Sequence, residues 1–275
     1  MSTVTAESTR EHRITLPVLA RRKRRGEKIA MLTAYDYTFA CIFDTVGIDV
    51  LLVGDSLGNV VQGRDTTLPV TLDEIVYHTR LVSRGVRRAL LVADLPFGSY
   101  QVSAEEAVRS AVRCVKEGGA HAVKLEGGTR VAPVIERIVA AEIPVMGHVG
   151  LTPQAIHRMG GHRVQGRTEA SRARVLADAR AAEEAGAFAV VLEGMPSELA
   201  REITRSLRVP TIGIGAGPDC DGQVLVMHDL LGLSDWTPSF VKAYANLGAL
   251  ASQAARSFAD EVASGKFPDE AHSYR

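Results

Sequence analysis

The sequence predicts a (β/α)8 barrel, a TIM barrel with one additional helix at its N-terminus. Three observations predict it. Short β-branched runs alternate with amphipathic helical stretches eight times between Lys28 and Met227. The runs are too apolar to alternate cleanly, as expected for parallel strands buried on both faces. Polar side chains recur at the C-terminal ends of these runs, and in a barrel those ends converge on one mouth. A doubly wound open sheet is the main rival on pattern alone.

Size and composition suit the barrel. The chain has 275 residues, near the roughly 250 typical of one such domain. Hydrophobic residues make up 46% and charged residues 23%, which argues against wholesale disorder. Aromatics are only 5%, so the core is aliphatic. Lys+Arg and Asp+Glu both number 32, and a neutral chain argues against a dedicated nucleic-acid binder. Cys41, Cys114 and Cys220 are odd in number and far apart, so neither a disulfide framework nor a zinc site is expected. No apolar run approaches the roughly 18 residues of a membrane span. Residues 1–14 carry no apolar leader segment. A reduced cytoplasmic setting is the expectation.

Residues 1–13 read as a disordered tail, and 14–275 as a single barrel domain. Thr15-Leu16-Pro17 opens a short helix, with Thr as cap and Pro tolerated in the first turn. It ends in Arg21–Arg25 and Gly26. That basic run reads as a solvated helix C-terminus, where cations suit the dipole and Gly stops the helix. The alternative is a nucleic-acid patch. The predicted strands are Ile29–Ala34, Val50–Val53, Ala89–Ala93, Ala120–Lys124, Pro144–His148, Phe188–Leu192, Thr211–Ile214 and Gln223–Met227.

Between the strands, Thr71 with Glu74 and Ser103 with Glu106 each fit a capping box. Three apolar stripes are expected to face the core: Phe39, Ile42, Phe43 and Val46; Val108, Ala111, Val112 and Val115; and Val131, Val134, Ile135, Ile138 and Val139. Gly119–Glu126 echoes Gly186–Glu193, each a helix stop, a strand and a terminal acid. The longest loops, Gly54–Pro69 and Gly150–Arg167, follow strands and so belong to the catalytic face. A long final helix is predicted over 238–263.

The candidate chemistry sits at the strand ends. Asp55 and Ser56 follow the second strand and Asp94 the third; Lys124 and Glu126 end the fourth, His148 the fifth and Glu193 the sixth. Asp55, Asp94 and Glu126 are hard oxygen ligands of the class Mg2+ favours. Each alone reads equally as a helix cap or surface acid. Lys124 and Glu126, two apart, share a face. A lysine facing a barrel interior needs a partner: an anionic substrate, an ion pair with Glu126, or a Schiff-base carbonyl. Glu193, leaving an apolar run, suits general acid/base work. His148 is either a hydrogen-bond donor and proton shuttle or a satisfied core residue. Gly213, Gly215 and Gly217 match the phosphate-binding loops of barrels only loosely. They open no helix as a dinucleotide fingerprint would, so close backbone approach or rim packing is the reading.

Nine segments in order carry a resemblance. They are Val53-Gly54-Asp55-Ser56-Leu57-Gly58, Gln62-Gly63, Thr67-Leu68-Pro69-Val70-Thr71 with Tyr77-His78-Thr79, Ala93-Asp94-Leu95-Pro96-Phe97, Val123-Lys124-Leu125-Glu126-Gly127-Gly128, Gly147-His148-Val149-Gly150-Leu151-Thr152-Pro153-Gln154, Val164-Gln165-Gly166-Arg167, Leu192-Glu193, and Ile212–Gly217 through Asp221–Asp229. Together, over roughly residues 14–272, they resemble the ketopantoate hydroxymethyltransferases. The resemblance implies a (β/α)8 barrel assembled as a homodecamer of two pentameric rings. It implies transfer of the one-carbon unit of 5,10-methylenetetrahydrofolate to 3-methyl-2-oxobutanoate, giving 2-dehydropantoate and tetrahydrofolate. It assigns Asp55 and Asp94 to Mg2+, with Glu126 as a third ligand through water. Asp55, Ser56, Asp94 and Lys124 form the substrate site, Ser56 and Lys124 holding the oxoacid carboxylate. Glu193 is the proton-abstracting base, and His148 a hydrogen-bond partner of the new hydroxymethyl group. The rival readings are another Mg2+-dependent oxoacid barrel, of the isocitrate lyase and phosphoenolpyruvate mutase group or a class II-type aldolase, and an interaction protein using Arg21–Arg25.

Overall fold

The computed structural model describes residues 13–274, so the expected tail over 1–13 lies, except for Arg13, outside the described residues. In chain order the elements are α1 (Leu16–Arg25), β1 (Ile29–Thr33), α2 (Tyr37–Thr45), β2 (Val50–Val53), α3 (Leu57–Val60), α4 (Leu72–Ser83), β3 (Leu90–Asp94), α5 (Ala104–Lys116), β4 (Ala122–Glu126) and α6 (Ala132–Val139). There follow β5 (Val145–Gly150), α7 (Ile156–Met159), α8 (Glu169–Glu184), β6 (Ala189–Glu193), α9 (Ser197–Ser206), β7 (Thr211–Ile214), β8 (Gly222–Leu225), α10 (Met227–Leu231) and α11 (Leu247–Ala263). Each β-branched run becomes a strand, Val50–Val53 and Thr211–Ile214 with their predicted bounds and the others with ends shifted by at most two residues. The strands pair in sequence order, and β8 closes on β1, all parallel. The open-sheet alternative is thereby excluded.

Side-chain parity then builds the interior. Ile29 and Met31, Val50 and Leu52, Leu90 and Val92, Ala122, Met146, Ala189 and Val191, Ile212 and Val224 form one buried cluster inside the barrel. Successive side chains of a strand point to opposite faces. Continuing the same parity toward the strand ends brings Asp94, Lys124, Glu126, His148 and Glu193 inward. The polar residues are thus the top layer of a core whose lower layers are aliphatic.

Ile14 and Leu19 join the same cluster, with Leu16 and Val18 packed against it, so α1 closes the lower end of the barrel. Thr15 stands at its N-cap in extended conformation but makes no capping bond, and Gly26 ends it in the left-handed region. The basic run needs correction. Arg24 and Arg25 are exposed, as a solvated terminus requires. Arg22 and Lys23 are not: Arg22 Nη1 lies 2.6 Å from Asp49 Oδ2, and Lys23 Nζ 2.7 Å from Asp221 Oδ2. Two of the five residues of the run are consumed in fastening the helix to the barrel.

Two of the outer helices, α2 and α5, depart from the expected stripes, while α6 keeps its own. Thr71 and Glu74 form the full reciprocal capping box, whereas Ser103 caps α5 from one side only. On α2, Ala40 and Phe43 face the barrel, while Ile42 and Val46 are 48% and 69% exposed. On α5 the inner line is Ala107, Ser110, Ala111 and Cys114, with Val108, Val112 and Val115 only half-buried at its flanks. The centre of α6 is Ile135 and Ile138. Small side chains line the seat because they let a helix approach the strands closely, and larger ones fill the flanks.

Residues from Val226 onward form a second compact unit. Gly232 ends α10 in the left-handed region, and Tyr244 N donates to Leu230 O. The final helix begins at Leu247, nine residues later than predicted from Pro238, because Asn246 supplies the cap, accepting from Ala249 N. None of the α11 side chains is buried. Among the described residues no helix is long and apolar enough to cross a membrane, and all three cysteines are free thiols.

Candidate active site

Strand register sets which polar side chains become neighbours. Asp94 pairs with Lys124, Glu126 with His148, and Gly150 with Glu193. Lys124 Nζ therefore donates to both oxygens of Asp94, at 2.6 and 2.7 Å. This corrects the ion pair with Glu126 considered for it: two residues along one strand are about 7 Å apart, whereas the register partner lies alongside. Asp55, on the loop after β2, donates its backbone N–H to Asp94 Oδ2 at 3.2 Å. Ser56 follows, its hydroxyl 2.8 Å from the Tyr35 hydroxyl. His148 lies between two acids, Nε2 3.1 Å from Glu193 Oε2 and Nδ1 3.5 Å from Glu126 Oε1. These are ion-pair contacts, off the line of good hydrogen bonds. All seven expected site residues meet at one mouth.

One residue of the mouth has no role in the sequence reading. Gln154 is buried in the loop after β5. Its Nε2 donates to Asp55 Oδ2 at 2.9 Å, its backbone N–H to Glu126 Oε2 at 3.0 Å, and its Oε1 accepts from the Tyr100 hydroxyl at 2.7 Å. One residue thus clamps two of the three carboxylates, Asp55 through its side-chain amide and Glu126 through its backbone N–H. The signal available was its place in the segment Gly147–Gln154, just after the helix-opening Pro153. Gly150 makes the loop possible: at φ +97°, a Cβ there would sit 2.3 Å from the Glu193 carbonyl oxygen. Gly217 packs against Ser197 in the same tight way, so the glycine-rich segment is rim packing.

The electrostatics follow from burial. Asp55, Asp94, Glu126, Lys124 and His148 are all buried. Burial, reinforced by Asp94 and Glu126, pushes the Asp55 carboxyl up to about 8. Burial also raises Asp94, although the Lys124 ammonium works against it. Burial disfavours the Lys124 charge, but Asp94, Glu126 and Asp55 outweigh it and raise the group. His148 is likewise penalised by burial and raised on balance to about 9 by Glu126 and Glu193.

Three buried carboxylates facing one ammonium form a site short of positive charge, and the donors are hard oxygens. That set fits Mg2+. Among the described residues no three acidic, histidine or cysteine side chains converge to hold an ion by themselves. The fit is therefore with a cation that takes one or two carboxylates and completes its shell with water and substrate oxygens, the habit of Mg2+ rather than of zinc.

Fold and site define a class: a (β/α)8 enzyme whose carboxylate-rich, lysine-bearing centre lies at the C-terminal ends of its strands. Comparison with known proteins is more specific. The sequence profile of ketopantoate hydroxymethyltransferase matches residues 13–270. A 3-methyl-2-oxobutanoate hydroxymethyltransferase of Moorella thermoacetica is 59% identical over 264 residues, 96% of this chain and 98% of its own. That of Pelobacter propionicus is 56% identical over 95% of this chain and 97% of its own. The chain belongs to the ketopantoate hydroxymethyltransferase family and is an enzyme of the transferase class. Among solved structures, a phosphonopyruvate hydrolase in complex with oxalate and Mg2+ superposes with a TM-score of 0.60 at 15% identity, covering 94% of this chain and 92% of that one. A 2,3-dimethylmalate lyase gives 0.59 at 18% identity, covering 93% and 87%. At such identities the likeness is one of fold alone. The lyase and mutase group considered as a rival thus shares the barrel.

Proposed function

We propose that the protein transfers a hydroxymethyl group from 5,10-methylenetetrahydrofolate to 3-methyl-2-oxobutanoate, giving 2-dehydropantoate and tetrahydrofolate, the committed chemistry of pantothenate synthesis. The observation that carries this reading is the grouping of a buried lysine, three carboxylates and a histidine–glutamate pair at one mouth, in a chain of this family. Asp55 and Asp94 would hold Mg2+, with Glu126 through water, and the metal when bound would supply Lewis acidity toward the oxoacid.

The chain's own groups do the rest. Lys124 Nζ and the Ser56 hydroxyl take the substrate carboxylate and fix its orientation. Glu193 accepts the proton from C3, and the C–H electron pair becomes the enolate. The enolate carbon attacks the methylene carbon of the carrier's iminium form, making the new C–C bond. The remaining C–N bond to the carrier breaks as water gives its hydroxyl to that carbon, the water proton and the proton held by Glu193 complete the two amines of the carrier, and tetrahydrofolate leaves. His148, beside Glu193, hydrogen-bonds the new hydroxymethyl group.

The test is release of tetrahydrofolate from methylenetetrahydrofolate on addition of the oxoacid, with and without EDTA. Release that EDTA abolishes supports the reading; no release overturns it. Glu193→Gln stops deuterium exchange at C3 of the oxoacid in D2O without folate, and exchange at the unmodified rate would remove Glu193 from the base role. The two-ring decamer belongs to the same proposal, and light scattering checks it as a particle ten times the 29.5 kDa chain.

A further inference from the structure

Beside the mouth lies a cavity of about 340 Å3. It is bounded by Gly127 and Gly128 after β4, by Val149 and Gly150 at the end of β5, and by one face of α8. Gly127 directly follows Glu126, and Gly150 is the register partner of Glu193. A ligand in this cavity therefore reaches the proposed reaction centre at one end. Its floor is built: Gly128 lies so close to α8 that a Cβ would sit 2.1 Å from Asp178 Cβ.

The charge of this cavity is one-sided. Arg130, Arg158 and Arg174 line it. Several arginines of the barrel are committed to acids, Arg22 and Arg88 to Asp49, Arg113 to Asp73 and Glu117, Arg201 to Asp219. The three around the cavity make no hydrogen bond or ion pair among the described residues. The carboxylate present, Asp178, is engaged by Thr129, accepting from its N–H at 2.9 Å and its hydroxyl at 2.8 Å. Three arginines without an acid partner thus line one volume, and guanidinium pairs with carboxylate in a bidentate fashion.

We propose that Arg130, Arg158 and Arg174 are the receptor for the acidic tail of the one-carbon carrier, and that they select carriers bearing several glutamates. The inference rests on the reading that the carrier is a folate. The transferable carbon lies at the pteridine end of that molecule, which must face Glu193. The glutamyl carboxylates are at the opposite end, and an outward string of them matches a string of arginines. A cavity of about 340 Å3 is at the small end of ligand sites, right for a tail segment.

The experiment compares methylenetetrahydrofolate bearing one glutamate with the form bearing three. The expected KM of the unmodified enzyme is about tenfold lower for the triglutamate, and the advantage shrinks as salt rises. In Arg158→Ala/Arg174→Ala the ratio falls toward one, and in the lysine double variant it recovers in part. Arg109→Ala, a surface change on α5, keeps the ratio. Equal KM values for the two carriers in the unmodified enzyme, or a ratio that survives the double alanine variant, overturn the receptor. Turnover with neither carrier overturns the functional reading instead. Calorimetric binding of p-aminobenzoyl-triglutamate then decides the receptor by itself: binding that the double alanine variant abolishes supports it, and no binding to the unmodified protein refutes it.

Discussion

Lys124 and Gln154 hold the carboxylates of the mouth apart in function. Lys124 neutralises Asp94 through two short bonds, and Gln154 ties down Asp55 and Glu126. Breaking a buried ion pair by removing one partner strands the other charge. Lys124→Met, measured in EDTA, is expected to lose about 3–5 kcal/mol of stability, read as a lower urea midpoint. The double variant Lys124→Met/Asp94→Asn regains part of it, because no lone charge remains. Gln154→Leu keeps the volume and the backbone bond to Glu126 but releases Asp55; its expected effect is a ~10–100-fold loss of transfer activity. These two residues also mark what was legible. Strand-end acids, Lys124 and His148 are visible because a period of two on a buried strand fixes which side chains turn inward. The partner of Lys124 depends on register between strands, which one strand does not carry. Gln154 acts from a loop, where no periodicity specifies direction.

At the level of elements, the same distinction separates α1 from its neighbours. Its capping pattern and glycine stop are local signals, and the helix is where they put it. That Arg22 and Lys23 are fasteners is not local, since Asp49 and Asp221 come from distant parts of the chain. Asp49 is buried and takes Arg22 at 2.6 Å, Arg88 at 3.0 Å and the Ala30 N–H at 3.0 Å. Asp49→Ala leaves two cations and an amide without that acceptor, and is expected to cost about 3–5 kcal/mol in chemical denaturation. Arg25→Ala, losing a contact of 3.6 Å between exposed groups, should change stability by under about 0.5 kcal/mol. The helix stripes are misread for a related reason. Apolar periodicity reports amphipathicity, but the inner line of a barrel helix is chosen for closeness, so alanine, serine and cysteine occupy it on α5 while valines stand at the edges.

For the molecule as a whole, the neutral total charge conceals local charges held against their solution preference, and these make stability depend on pH. The barrel itself was legible because eight apolar runs, each buried on both faces, demand parallel strands covered by helices, with closure left to strand pairing; the late start of α11 was not, because Pro238 opens no helix and the chain turns helical only where the Asn246 side chain accepts from the Ala249 N–H. His121 shows how the folded barrel governs a proton. It sits just before β4, where the Leu91 N–H donates to its Nδ1 at 2.9 Å. Burial first, then the Arg13 guanidinium, holds its imidazole down at about 4, from 6.5. The fold therefore prefers the neutral ring, and between pH 6.5 and 4 this residue binds more protons in the unfolded chain than in the native one. Its contribution to stability rises with pH across that window, and acidification from 6.5 toward 4 removes it. Allowing for the solvent that reaches this half-buried ring, the loss is on the order of 1 kcal/mol. His121→Asn keeps an acceptor for the Leu91 amide but cannot take up the proton. The carboxylates of the mouth titrate in both proteins, so the difference between their urea midpoints isolates His121. That difference should change steadily from pH 6.5 to 4 in favour of the variant, and be flat above 7. Parallel curves through the window would mean that His121 carries no native-state proton penalty.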